Sequence, residues 1–193
     1  MTMKKNRKGF TLIELLAVIV ILGILMMTAI PAVTRAIAKS RRNTYWQNMK
    51  SYAKAAATPF LDGEYQSTEN SGESCPYPGS GQYVIIPVSI VELEQGDITK
   101  SSFKSPYVTS GNCQPTIAVL NEGTDGKDNL KWYVVGMDQA GNGLTNYVDI
   151  NKLGLSDVKT GATCTSGASI IDLSDPGDLK VGAKTYHYKD TCQ

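Results

Sequence analysis

The first part of the chain carries a long apolar run with a helical pattern. The run FTLIELLAVIVILGILMMTAI extends from Phe10 to Ile30, and Glu14 is its only charged residue. As a helix it would be about 31 Å long, which matches the hydrocarbon core of a bilayer. We therefore predict that residues 10–30 span a membrane as one helix.

The helical pattern continues beyond this run and becomes amphipathic. No glycine or proline interrupts residues 32–58, and alanine is frequent there. Apolar residues recur at three- and four-residue spacings, namely Tyr45, Met49, Tyr52 and Ala56, with Trp46 and Ala53 beside them. We expect a single helix from Phe10 to Thr58, and we expect residues 31–58 to cover a sheet with this stripe.

Residues 59–193 alternate short apolar runs with polar loops. Residues 62–81 are rich in Gly, Ser, Pro and acidic residues, which is typical of a loop. Strand-like runs rich in Val, Ile, Tyr or Trp follow at Tyr83–Val91, Thr116–Leu120, Leu130–Met137, Tyr147–Ile150 and Lys184–Tyr188. Pro87 within the first run favours an edge strand or a bulge. The pattern predicts an α+β fold in which the long helix packs on a small antiparallel sheet.

Charge divides the chain into three blocks. The whole chain has a formal charge of +1, but Met1–Gly9 carries +4, residues 10–58 carry +5 and residues 59–193 carry −8. Bases flank both ends of the apolar run, so charge alone does not orient it in a membrane. The run is longer than the core of a removable signal peptide. Binding to nucleic acid needs positive charge, so the acidic block of residues 59–193, the expected head, disfavours nucleic acid as a partner.

The residues before and within the apolar run resemble a known processing signal. Lys8-Gly9-Phe10-Thr11-Leu12-Ile13-Glu14, followed by the apolar run and Pro31, resembles the N-terminus of type IV prepilins and pseudopilins. The resemblance covers residues 4 to about 50. It implies that a prepilin peptidase removes the leader 1–9 by cleavage after Gly9 and that the new amino terminus, Phe10, is methylated. It also implies that the leader lies on the cytoplasmic side and the C-terminus outside.

Glu14 needs a partner if it lies in lipid. A carboxylate in a lipid-facing helix costs about 2.5–3.5 kcal/mol on insertion scales. The resemblance implies that Glu14 pairs with the N-terminal amine of a neighbouring subunit during filament assembly. Pairing with the amine of its own Phe10, four residues away, and a position near the headgroups both stay open. The resemblance further implies that helical order between Glu14 and Pro31 is lost in the filament. From Pro31 itself two outcomes stay open: a kink in the helix, or a straight helix that tolerates the proline.

A basic face follows the apolar run. Arg35, Lys39 and Arg42 lie at i, i+4 and i+7, so they share one side of the expected helix. Two interpretations stay open, a solvated or headgroup-facing stripe and a charge contact between subunits.

All four cysteines lie in residues 59–193: Cys75, Cys113, Cys164 and Cys192. In the exported head that the resemblance implies, an even number of cysteines predicts disulfides, and we expect two. Of the three connectivities, Cys75–Cys113 with Cys164–Cys192 closes the shortest loops. A zinc site is the competing use, but C-x-x-C pairs are absent.

Two polar loops contain oxygen ligands of the kind that Ca²⁺ binds. The first holds Asp138, Asn142, Asn146 and Asp149, and the second holds Asp125 and Asp128. We favour ordinary solvated turns for both and predict no metal. The sequence lacks H-E-x-x-H, a nucleophile elbow and a dinucleotide fingerprint, and its single histidine, His187, is expected to be structural or exposed. We therefore predict no catalytic residue and no cofactor.

The resemblance implies a structural subunit of a type IV pilus, which leaves the cytoplasmic membrane and polymerises through its N-terminal helix with identical or related subunits into an extracellular filament. Two alternatives stay open: a pseudopilin of a type II secretion or DNA-uptake machine, and a minor pilin at the filament tip with an adhesive head.

Overall fold

The computed structural model describes residues 10–91, 114–124, 127–138, 141–161 and 176–193. Contacts divide the chain into two compact units, residues 1–40 and residues 41–193. The first unit contains the apolar half of helix α1, which runs from Leu12 to Leu61. The second unit contains the remainder of α1 and the sheet.

Helix α1 extends three residues beyond the predicted end at Thr58 and passes through Pro59. Proline lacks an N–H, so Pro59 removes one bond of the ladder, and only two helical residues follow it. The helix stops at a turn in which Gly63 adopts a φ of 71°. This left-handed conformation, together with the bond from Glu64 N to Pro59 O at 2.9 Å, is typical of a helix C-terminus.

The sheet contains six strands in the order β4-β3-β2-β1-β6-β5. The strands are β1 Gln82–Pro87, β2 Thr116–Asn121, β3 Leu130–Met137, β4 Gly143–Asp149, β5 Leu179–Val181 and β6 Lys184–Thr191. A 3-10 turn, Val88–Ile90, follows β1 where the prediction had continued the strand. Strand β5 was missed, because three residues are too few to show a periodic pattern.

The sheet departs from the predicted antiparallel arrangement at one pair of strands. Strands β1 and β6 run parallel, with Gln82 opposite His187 and Ile85 opposite Thr191, whereas the other pairs are antiparallel. The last strand lies between β1 and β5. The fold is therefore α+β with a mixed sheet.

Pro87 predicted an edge strand or a bulge, and the strand that contains it is not an edge strand but does contain a register shift. Strand β1 has neighbours on both sides, β2 and β6. Pro87 is nevertheless tolerated, because it is the last residue of β1 and the pairing with β6 already ends at Ile85. No ladder bond toward β6 is required from a residue beyond that point. The register shift in β1 lies between Tyr83 and Val84, away from the proline.

The core lies between the second half of α1 and one face of the sheet. Helix residues with buried side chains are Tyr45, Met49, Tyr52, Ala53, Ala56 and Phe60, which confirms the predicted stripe. They cluster with alternate strand residues, among them Val84, Ile86, Ile117, Val119 and Val134. The intervening residues Tyr83, Ile85, Ala118, Leu120 and Tyr133 form a second cluster with Leu179 and Tyr186. The central strands are therefore buried on both faces, which explains their unbroken apolar runs.

Truncation of Met49 tests this core. The Met49 side chain is 0% exposed at the centre of the helix stripe, so Met49→Ala should lower the free energy of unfolding by about 2–5 kcal/mol. Ser51, two residues along and exposed, provides the control, since Ser51→Ala should change it by no more than about 0.5 kcal/mol. Denaturant unfolding of the full chain in detergent measures both, and equal effects would contradict the helix orientation.

Candidate assembly site

The N-terminal end of α1 is closed by a reciprocal contact between Thr11 and Glu14. Glu14 Oε2 accepts hydrogen bonds from the Thr11 backbone N and from Thr11 Oγ1, both at 2.8 Å. Glu14 N in turn donates to Thr11 Oγ1 at 3.3 Å. This is a capping box, in which the side chains of the cap residue and of the third helical residue satisfy orphan N–H groups at the helix start.

Sequence reasoning assigned Glu14 an amine partner and missed Thr11. The signal that could have found it is the spacing T-x-x-E directly before an apolar helix, which is the signature of a capping box. The contact leaves Glu14 Oε1 without a hydrogen bond among the residues that the structure describes. One carboxylate oxygen is therefore engaged within the chain, and the other remains available for a cation.

The apolar half of α1 is unburied along its whole length. The 18-residue window of highest hydropathy is 0% buried and is long and apolar enough, by length and composition, to cross a membrane. Large apolar side chains are exposed from Phe10 through Ile37. Because soluble monomers rarely expose continuous apolar patches of this size, this surface marks contact with lipid or with another protein.

Pro31 lies inside α1, which is helical on both sides of it. The Thr34 hydroxyl donates to the carbonyl oxygens of Ile30 and Pro31, each at 3.1 Å. Side-chain hydroxyls of this kind support the backbone where proline interrupts the ladder of a membrane helix.

Within the second unit, a disulfide joins Cys75 to Cys192, with the two Cα atoms 5.4 Å apart. Of the three connectivities that the sequence left open, this bond excludes the shortest-loop pairing, Cys75–Cys113 with Cys164–Cys192. The reason is the path of the last strand: β6 runs along β1 and its end meets the loop that follows α1. There Gln193 and Gln66 exchange backbone hydrogen bonds at 2.9 and 3.0 Å. Cys113 and Cys164 lie outside the described residues.

A buried carboxylate next to this disulfide holds the same loop. Asp190 is only 1% exposed. It accepts hydrogen bonds from Ser67 Oγ, from Thr68 Oγ1 at 3.2 Å, and from the backbone N of Glu69 and Thr191 at 3.4 and 2.7 Å. Several donors compensate for the desolvation of one charge. Asp190 was not singled out from the sequence, because no local pattern marks it.

The proposed oxygen ligands are engaged in turn hydrogen bonds. Asp138 accepts from the backbone N and from Nδ2 of Asn142 at 2.8 and 2.9 Å, which closes the turn between β3 and β4. Asp149 accepts from Asn151 N at 2.8 Å, and Asp128 accepts from Asn121 Nδ2 at 2.8 Å. Asn146 is exposed, and Asp125 lies outside the described residues. Among the residues described, no three His, Cys, Asp or Glu side chains gather as metal ligands.

His187 lies on the surface of β6. Its Nδ1 is 2.8 Å from Asp178 Oδ1, and the two side chains are 68% and 54% exposed. A shallow groove of about 250 Å³ lies nearby, lined by residues that include Ser80, Glu122 and Tyr186. Burial, the hydrogen bond to Glu122 and its charge raise the pKa of Tyr186 to about 12. The Tyr186 hydroxyl donates a hydrogen bond to Glu122 Oε1 at 3.1 Å.

One unit contains an exposed, capped apolar helix segment. In the other unit, a sheet packs on the amphipathic half of the same helix. These two features define an α+β protein of the pilin-like class. Residues 4–30 match the family model of the prokaryotic N-terminal methylation motif. Over 124 aligned residues the chain is 31% identical to fimbrial protein EcpC of Eikenella corrodens. The aligned region covers 64% of this chain and 80% of that protein. No solved structure matches the chain. The chain belongs to the type IV pilin and pseudopilin family.

The Asp190 contacts can be tested by deleting the carboxylate. Asp190→Ala leaves the buried donors of Ser67 and Thr191 without their acceptor, which should cost about 1–3 kcal/mol of unfolding free energy. Asp178→Ala is the matched control, because that carboxylate is exposed and its loss should be nearly neutral. Thermal or denaturant unfolding compares the two variants. An unchanged free energy of unfolding in Asp190→Ala would contradict a stabilising role for these buried hydrogen bonds.

The disulfide pairing makes a separate prediction. A digest of unreduced protein should contain a peptide pair that joins Cys75 to Cys192, and reduction should separate it. Loss of this bond in Cys75→Ser should lower stability by about 2–5 kcal/mol. A peptide pair joining Cys75 to Cys113 would restore the shortest-loop connectivity.

Proposed function

We propose that this protein is a structural subunit of a type IV pilus, processed at its N-terminus and polymerised through α1. The observation that carries the proposal is the fully exposed apolar half of α1, which has one carboxylate, Glu14, at its start. Lipid covers this surface before assembly, and identical or related helices cover it in the filament. Burial among other helices then drives polymerisation.

Processing creates the second half of the assembly site. Prepilin peptidase cleaves after Gly9 and the new amino group on Phe10 is methylated, which leaves a cation at the end of the apolar segment. The contact between Thr11 and Glu14 lies entirely within the mature chain, so cleavage does not remove it. A neighbouring subunit's N-terminal ammonium binds the free Glu14 oxygen. Each charge is costly alone in lipid, and each compensates for the other.

The disulfide supports a location outside the cytoplasm. Disulfides persist in oxidising compartments, and Cys75–Cys192 lies in the unit that follows the apolar segment. The subunit thus spans the cytoplasmic membrane once with its C-terminus outside, and it enters an extracellular filament on assembly. Because Cys75 and Cys192 pair with each other, the second expected disulfide joins Cys113 to Cys164.

A pseudopilin of a type II secretion or DNA-uptake machine is the second candidate, since it is built in the same way. The fimbrial name of the Eikenella relative favours the pilus. A minor tip pilin with an adhesive head is a variant of the same proposal. Nucleic-acid capture by the head is disfavoured, because residues 59–193 carry a net charge of −8.

Mass spectrometry of fibres sheared from the cell surface tests processing and export. The expected species begins at N-methylated Phe10 and is four hydrogens lighter than its reduced form, as two disulfides require. An intact Met1 on a protein that stays with the cells would overturn the proposal. Recovery only in short fibres that do not leave the envelope would favour the pseudopilin.

Substitution of Glu14 tests the amine pairing. Glu14→Ala should leave cleavage after Gly9 intact and block incorporation into fibres, because the incoming ammonium loses its partner. Thr11→Ala is the control that separates pairing from helix capping: it removes the cap, worth about 1 kcal/mol, but keeps the carboxylate. Its incorporation, measured by immunoblot of sheared fibres, should fall by less than about tenfold. Equal loss in both variants would mean that Glu14 acts by capping α1.

A further inference from the structure

The disulfide of this chain joins two cysteines that are not neighbours in the sequence. Cys75 and Cys192 are 117 residues apart, and Cys113 and Cys164 lie between them along the chain. If α1 stays in the membrane while the rest of the chain is exported, the cysteines reach the oxidising side in sequence order. Cys192 is then the last of the four to arrive.

Cys192 meets Cys75 only when strand β6 is in place. Cys192 directly follows β6, and its backbone N donates to the carbonyl oxygen of Ile85 in β1 at 2.7 Å. It also forms a backbone bridge with Ser67, in the loop that follows α1. The native bond therefore depends on the parallel pairing of β6 with β1, two strands that are far apart in sequence.

Cys113 is a competitor for Cys75 before β6 arrives. It follows Cys75 by 38 residues, whereas Cys192 follows Cys75 by 117. In an unfolded chain the probability of closing a loop falls as about the three-halves power of its length, which favours Cys113 by about fivefold. The chain also needs about 4–16 s to grow from Cys113 to Cys192, at roughly 5–20 residues per second. Loop closure takes well under a millisecond, so Cys113 has ample time to meet Cys75 first.

We propose that Cys75 first pairs with Cys113 and that thiol–disulfide exchange then produces the bond to Cys192, which makes this subunit a substrate of an extracytoplasmic thiol–disulfide isomerase. The inference rests on the proposed function, because it requires export of the residues that follow the apolar segment. It adds an isomerisation step between export and entry into a filament.

The proposed steps balance in atoms and electrons. A protein thiol oxidase takes two electrons and two protons from Cys75 and Cys113, and its own disulfide is reduced to two thiols. An isomerase thiolate then attacks Cys75 Sγ, which breaks the bond and releases the Cys113 thiolate. The Cys192 thiolate attacks the same Sγ and releases the isomerase. This exchange consumes no oxidant, and a second two-electron oxidation later joins Cys113 to Cys164.

The folded head explains why exchange ends at the native bond. Cys75 and Cys192 are only 8% and 0% exposed, and an attacking thiolate needs access to sulfur. Backbone hydrogen bonds between Gln66 and Gln193 hold the segments on either side of the bond together. A chain in which β6 is not yet paired lacks these contacts, so its Cys75 bond stays open to attack.

Pulse–chase labelling of the full-length chain tests the order of pairing. The chain is exported in a bacterial host with or without its thiol–disulfide isomerase, samples are quenched with acid and alkylated at intervals, and unreduced digests identify each cysteine pair. The variant Cys113→Ser/Cys164→Ser removes both competitors of Cys192. The variant Cys164→Ser is the matched control, because it keeps Cys113.

In the wild type we expect the Cys75–Cys113 pair to appear first and to be replaced by Cys75–Cys192. Without the isomerase, the yield of Cys75–Cys192 should fall about fivefold, the preference that loop length gives to Cys113. The double variant should form Cys75–Cys192 to within about twofold of its yield with the isomerase. Cys164→Ser should depend on the isomerase as strongly as the wild type does.

Three results would overturn the inference. Cys75–Cys192 as the first pair in the wild type, or an equal yield with and without the isomerase, would show that the native bond forms directly. Failure of the double variant to recover would show that the isomerase does not act by removing the pairing with Cys113. Cysteines that stay reduced at all times in a chain that keeps Met1 would instead refute export, and with it the proposed function.

Discussion

The apolar surface between Phe10 and Ile37 is the constraint on which the rest of this protein depends. It is unburied along its length in the described chain, and at about 25 cal/mol per Å² its exposure to water would be very costly. The chain must therefore always have lipid or other helices around this segment. A single charged side chain, Glu14, interrupts the surface. One of its two carboxylate oxygens, Oε2, accepts hydrogen bonds from Thr11.

The second unit folds around the amphipathic half of the same helix. It does so with a sheet whose central strand, β1, is buried on both faces and lies between β2 and β6. The last strand is tied to the loop after α1 by a disulfide and by Asp190. These ties bring the loop that follows the helix and the last residues of the chain to one place, and they present the loop's acidic residues to solvent.

The chain belongs to the type IV pilin and pseudopilin family, and it combines an apolar helix segment with a folded unit built on a sheet. The N-terminal segment supplies an exposed apolar helix, and residues 4–30 match the methylation motif.

The sequence by itself determined the local features of this protein. The position of α1 and its buried stripe, strand β3 to the residue, and the motif around Gly9 all follow from short periodic or contiguous patterns. Only the tertiary structure decided that β6 lies parallel to β1, that Cys75 pairs with Cys192 and that Asp190 is buried. Each of these depends on which segments meet across more than a hundred residues of chain. Contacts of this kind are set by packing over the whole sheet, and they produce no periodic pattern in the sequence of the residues concerned.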